Sequence, residues 1–108
     1  MGLDNIVLTS STDYLDIAAL PDVNGDGVLD QAVLVMKGDS YYLQSIDSAT
    51  GKLIMQALLG TVSAITPKSL ASVGQQISIL ASKGTGASIL QIRDSATLVL
   101  VKTLTLPK

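Results

Sequence analysis

The hydrophobic positions of this chain fall into eight short runs separated by turn residues, spanning roughly residues 15–20, 31–36, 41–46, 53–58, 69–73, 77–82, 87–92 and 98–105. Between them stand NGDG, KGD and DSATGK, then VGQQ, KGTG and DSAT, stretches of the Gly, Asn, Asp and Ser that build tight turns. Runs such as QAVLVM and LIMQAL are nearly continuous rather than alternating, as in strands covered on both faces. No stretch pairs helix caps with a 3.6-residue period. Residues 64–72 are too short and too rich in Ser and β-branched side chains for a helix. The pattern predicts an all-β fold. A further apolar segment, Asn5 to Thr9, predicts an extra N-terminal strand.

The runs repeat. LQSIDSAT at 43–50 and LQIRDSAT at 90–97 agree at six of eight positions, at an offset of 47. Lys37-Gly38 matches Lys83-Gly84, and Ala32–Val35 matches Ser78–Ala81, both at an offset of 46. Ile17–Leu20 aligns with Leu70–Val73 at an offset of 53. The jump from 46 to 53 means that the second copy lacks seven residues where the first has 21–30, with Gly74-Gln75-Gln76 in their place.

Four antiparallel strands at a period in the mid-forties describe a β-propeller blade. The expected organisation is therefore two blade-like repeats, 12–60 and 66–106, within residues 1–108 as a single domain or a propeller fragment. A two-sheet β-sandwich is the alternative. Two blades leave strand edges and apolar faces unpaired. The expected partners are other copies of the chain or the remaining blades of a longer one.

The segment present only in the first copy is PDVNGDGVLD. Calcium takes about six to eight oxygen ligands, and alternate side chains on a curled loop converge on one centre. Asp22, Asn24 and Asp26 supply that alternation, Gly27 permits the turn, Val28 offers its carbonyl, and Asp30 closes the shell. An EF-hand is excluded, because loop position 12 would be Val33 rather than Glu and a strand follows at once. The alternative is a plain hairpin turn, since NGDG contains both Asn-Gly and Asp-Gly. Three aspartates forced together without a cation would, however, repel one another.

Asp22-x-Asn24-x-Asp26-Gly27-x-x-Asp30 followed by a hydrophobic strand resembles the calcium loop of FG-GAP and VCBS-type repeats, the blades of integrin-α-like propellers. The resemblance is specific over residues 17–36. It implies a loop joining the first two strands of a blade and binding Ca²⁺ through the matching positions. The Phe-Gly and Gly-Ala-Pro elements that name the family are missing.

Composition narrows the chemistry. The 108 residues are 47% hydrophobic and 15% charged, with no His, Cys, Phe or Trp and a net charge of −2. Without His or Cys there is no ordinary zinc site and no Ser-His or Cys-His nucleophile. The seven basic residues are scattered, which argues against nucleic acid. Asp47 and Asp94 hold equivalent positions before turns, where Asp bonds its own backbone, and read as structural rather than as a catalytic pair. KGTGAS lacks phosphate-loop spacing and a following helix. Tyr41 and Tyr42 are adjacent, so they point to opposite faces of a strand; one is expected to be exposed as a possible glycan contact.

No apolar run approaches the ~20 residues of a membrane span. The start MGLDNIVL lacks the features of a signal peptide and carries Ile6 where a myristoylation signal needs Ser or Thr. Met1-Gly2 is read as an appended start. The expectation is a calcium-stabilised, non-enzymatic, extracellular or cell-envelope propeller segment serving as a structural or protein-interaction module. The alternatives are a carbohydrate-binding module and a fragment of a larger propeller enzyme such as a polysaccharide lyase.

Overall fold

The computed structural model describes residues 12–84 and 86–107. Within them the chain is all-β, with two four-stranded antiparallel sheets and no helix. The first sheet is a meander of β1 (Thr12–Leu20), β2 (Asp30–Lys37), β3 (Ser40–Ile46) and β4 (Leu53–Thr61). The second is a meander of β5 (Ile65–Val73), β6 (Gln76–Lys83), β7 (Ser88–Asp94) and β8 (Leu100–Thr105). All eight expected strands form, in the expected order. The strand expected at Asn5 to Thr9 lies outside the described residues.

β1 starts at Thr12 rather than residue 15, β4 runs to Thr61 rather than 58 and β7 to Asp94 rather than 92; two further boundaries depart for physical reasons. β5 starts at Ile65 rather than residue 69 and runs through Pro67. That is tolerated because β5 is an edge strand, where a missing N–H need not break a ladder bond. β8 starts at Leu100 rather than residue 98, because Leu98 sits at φ 63° in the preceding turn.

The repeat recurs in the backbone at two register shifts, although a third, between Tyr41 and Tyr42 of β3, has no counterpart in β7. A register shift between Tyr14 and Asp16 of β1 recurs at the equivalent Pro67 and Ser69 of β5. A shift between Ser45 and Ile46 of β3 recurs at Ile92 and Arg93 of β7. Such bulges re-aim a strand at a fixed point and are built features. The two DSAT turns match as well: Gly51 N–H donates to Asp47 O at 2.7 Å, and Leu98 N–H to Asp94 O at 2.8 Å. Gly51 has φ 77°, a left-handed conformation that glycine adopts freely. Leu98 adopts the same conformation at the same position and is fully buried.

The core lies between the sheets. Leu20, Ala32 and Leu43 of the first sheet pack with Ile77, Ile79 and Leu98 of the second, and Val23, Ala57, Leu59 and Leu70 surround them. Tyr41 packs against a smaller cluster of Ile65, Ala81 and Ile89. The sheets approach most closely along β1 and β5, where Leu70 N–H donates to Asp16 Oδ2 at 2.8 Å. Arg93 is buried in the second sheet, its Nε donating to Gln91 Oε1 and its Nη1 to the Leu98 carbonyl. Burial pulls its guanidinium pKa down.

The repeat alignment shows that unlike faces meet. The packed face of the first sheet carries Ala32, Leu34 and Leu43, whose counterparts in the second are Ser78, Leu80 and Leu90. Those counterparts point outward, because the packed face of the second sheet carries Ile79, Ala81 and Gln91. The counterparts of these three, Val33, Val35 and Gln44, lie on the outward face of the first sheet. The two sheets are thus stacked head to tail, not related by a two-fold axis.

Candidate metal centre

The β1–β2 connection, residues 21–29, is shaped by its own carboxylates. Asp22 Oδ1 accepts the N–H groups of Gly25 (2.8 Å) and Asp26 (3.2 Å), while Oδ2 accepts that of Gly27 (2.7 Å). Asn24 Oδ1 accepts from Asp26 N–H at 3.3 Å, and Asp26 Oδ1 from Val28 N–H at 2.9 Å. Gly27 has φ 83°, which lets the chain curl so that alternate side chains turn to one side. Asp30, the first residue of β2, is 1% exposed. Its Oδ2 accepts from Val23 N–H at 2.9 Å and its Oδ1 from Ser48 N–H at 3.4 Å, tying the loop to the next turn.

One carboxylate oxygen from each of Asp22, Asp26 and Asp30 falls within a group whose members all lie within 4.8 Å of one another. The sequence therefore brings together three of its five expected ligands directly. Asn24 Oδ1 and the Val28 N–H bond within the loop, to Asp26 N–H and Asp26 Oδ1 respectively. The donors are all oxygen, the set that a hard cation takes and that zinc or copper sites do not prefer.

The electrostatics show what the cluster lacks without a cation. The Gly27 N–H, with smaller help from other loop amides, holds Asp22 below the usual carboxylate range against a desolvation penalty. Asp26 behaves in the opposite way. The Val28 N–H pulls its pKa down, but desolvation and the carboxylates of Asp47 and Asp30 outweigh that bond and push it up. Asp47 is held down by the Ala49 N–H against desolvation, with further help from the Thr50 hydroxyl, Asp26 and Asn24. Asp26 and Asp47 thus face each other as a carboxylate pair in which a proton favours Asp26. A bound cation would relieve the same repulsion.

Asp47 is the residue that sequence reasoning missed. It was read as structural from its turn position, and it does make those turn bonds, to Ala49 N–H at 2.9 Å and Thr50 Oγ1 at 3.0 Å. It also presents its carboxyl to the loop. No local spacing signals this: Asp47 and Asp94 hold equivalent positions in the repeat, and Asp47 reaches the loop only through the pairing of β2 with β3.

Tyr41 and Tyr42 are both half-buried, Tyr41 against the smaller core cluster and Tyr42 beneath the Lys37 ammonium, 5.5 Å from the ring centroid. Neither reaches the exposure expected of one of them. The open ring is Tyr14, 70% exposed. Beside the loop a cavity of about 250 Å³ is lined by Pro21, Asp22, Val23, Gln75, Asp94, Ser95 and Ala96, at the seam between the two repeats. Among the described residues no helix is long and apolar enough to cross a membrane. Comparison with protein-family models, curated proteins and solved structures finds no match to this chain.

Proposed function

We propose that the chain is a calcium-stabilised pair of β-propeller blades of the FG-GAP/VCBS kind, a non-enzymatic structural or protein-interaction module working outside the cell or in its envelope. The observation that carries this reading is the convergence of Asp22, Asp26 and Asp30 on one point of the loop that joins β1 to β2. The loop joins the first two strands of a four-stranded sheet, which is where the resemblance expects it. Its oxygen-only donor set suits calcium, and the millimolar calcium found outside cells suits a single-loop site.

Two features of the fold support blades over a two-fold sandwich. The stacking is head to tail, and the sheets approach most closely along β1 and β5, the first strand of each repeat, as blades do around an axis. Calcium has a structural role here: it locks the loop against the turn that Asp30 already reaches.

The test is a thermal melt of the purified chain in EDTA and in millimolar calcium. Calcium at ~100 times its dissociation constant adds ~2.7 kcal/mol. For a chain of this length that raises the melting temperature by about 10 °C. The rise should vanish in Asp26→Ala. An unchanged melt in calcium would reduce the loop to a hairpin turn and remove the ground for an extracellular calcium module.

A further inference from the structure

We propose that the chain associates with further copies of itself head to tail, the outward face of β5–β8 in one copy packing on the outward face of β1–β4 in the next, to close a ring. This rests on the two-blade reading above and names the faces that complete it. Inside the chain a face of one kind, carrying Ala32, Leu34 and Leu43, is packed on a face of the other kind, carrying Ile79, Ala81 and Gln91. Among the described residues one face of each kind has no second sheet packed on it, although at the centre of the first-sheet face Val35 is fully buried and Gln44 is 8% exposed. The second sheet presents Leu80, Leu90, Ile92 and Leu104, with Leu80 36% and Leu104 40% exposed. The first sheet presents Ile17, Val33, Tyr42 and Leu58, with Ile17 57% and Leu58 59% exposed.

These two faces are the repeat counterparts of the pair that already fits. A second copy offers what the intramolecular interface used, in the same orientation. Even the polar contact at the seam has its counterpart. Ser69 stands where Asp16 stands, and the edge N–H of Ile17, now turned to its neighbour Asp16, stands where that of Leu70 stands. An interface between unlike faces is heterologous, so its repetition closes a ring or runs on as a filament. Propeller rings hold roughly four to eight blades, which two-blade chains complete with about two to four copies.

The test is sedimentation of the whole chain at micromolar concentration, with one variant per face. Ile17→Lys blocks the first-sheet face, and Leu80→Lys the second-sheet face. The wild type is expected to sediment as one discrete multiple of the chain mass. Each variant alone should be a monomer, and the two mixed one to one should form a heterodimer through their intact faces and nothing larger. A wild type that stays monomeric at high micromolar concentration overturns the proposal. So does a variant that still self-associates, which would mean a two-fold contact or another surface. A mixture of folded variants that fails to pair also overturns it. Circular dichroism establishes folding, and Leu58→Lys with Leu104→Lys replaces the pair if either first variant does not fold. Each run is made in EDTA and in calcium. Loss of assembly with an intact calcium melting shift strikes the faces alone, whereas intact assembly without that shift strikes the calcium loop alone.

Discussion

Leu98 offers a direct measure of how strictly the second repeat copies the first. It has φ 63° where its counterpart Gly51 has φ 77°, and its side chain is fully buried in the core between the sheets. A left-handed conformation costs an L-residue about 1–2 kcal/mol. Burying a leucine side chain returns about 1.5–3 kcal/mol, so the strain is carried by the packing. Leu98→Ala removes the packing and keeps the strain, at a cost of about 2–5 kcal/mol. At about 4 °C per kcal/mol, a 3 kcal/mol loss lowers the melting temperature by ~12 °C.

Leu98→Gly loses one more buried methyl, about 0.8 kcal/mol, and frees the unfolded chain by about 0.4–1 kcal/mol, but it releases the strain. The two variants should therefore melt within ~3 °C of each other. The control is Ala81→Gly in β6, where a buried alanine sits in ordinary strand conformation. There the same exchange costs about 1.2–1.8 kcal/mol, with no strain to recover. Melts of the three variants in EDTA decide the matter. If Gly falls below Ala at position 98 by as much as it does at position 81, Leu98 carries no strain, and the turn is not a copy of the glycine turn.

Other perturbations test the site and the core. Asp47→Asn should weaken calcium binding several-fold, read by isothermal titration, while leaving the turn bond from Ala49 available; unchanged affinity would return Asp47 to a purely structural role. Asp26→Asn should raise the melting temperature in EDTA near neutral pH and abolish the calcium response, since it removes the charge that Asp47 and Asp30 oppose. The pH dependence has a defined sign. Asp26 is raised in the folded state, so ionising it costs metal-free stability as pH rises through its folded pKa. Asp22 and Asp47 are lowered, so their contribution is present above the ordinary carboxylate pKa and lost as pH falls through their folded values. Protons compete for Asp26 first, and the calcium-induced melting shift should decline on acidification before Asp22 and Asp47 titrate. Ser45→Ala should stabilise the protein by about 1 kcal/mol in a chemical denaturation curve, because the Ser45 hydroxyl is buried with no hydrogen-bond partner.

Strand order and number were legible because turn chemistry punctuates the chain so regularly, and the DSAT copies fixed where each repeat stands. The first-sheet loop was legible because Asp22, Asn24, Asp26 and Asp30 are close in sequence. Asp47 was not, because it reaches the loop only through pairing of β2 with β3, a contact that no local spacing encodes. The head-to-tail stacking was hidden for a similar reason. Val33 and Leu34 are both apolar, so the sequence does not say which of them faces the other sheet. Leu98 escaped because a left-handed leucine is rare, and its counterpart glycine was read as a turn residue of that copy alone.

The stacking also gives the molecule an electrical direction. Because both meanders run the same way, the β1–β2 and β5–β6 hairpins and both DSAT turns open at one end, where Ser95 N–H reaches the Gln75 carbonyl. That end holds Asp22, Asp26, Asp30, Asp47 and Asp94, five of the nine acidic residues. The opposite end, where Gly84 N–H meets the Ala64 carbonyl, carries Lys37 and Lys83 at the ends of β2 and β6, balanced by Asp13 and Asp39. A chain with a net charge of only −2 therefore gathers its negative charge at one end, screened over about 8–10 Å at physiological salt. Divalent cations are drawn to that pole, where the candidate metal loop lies.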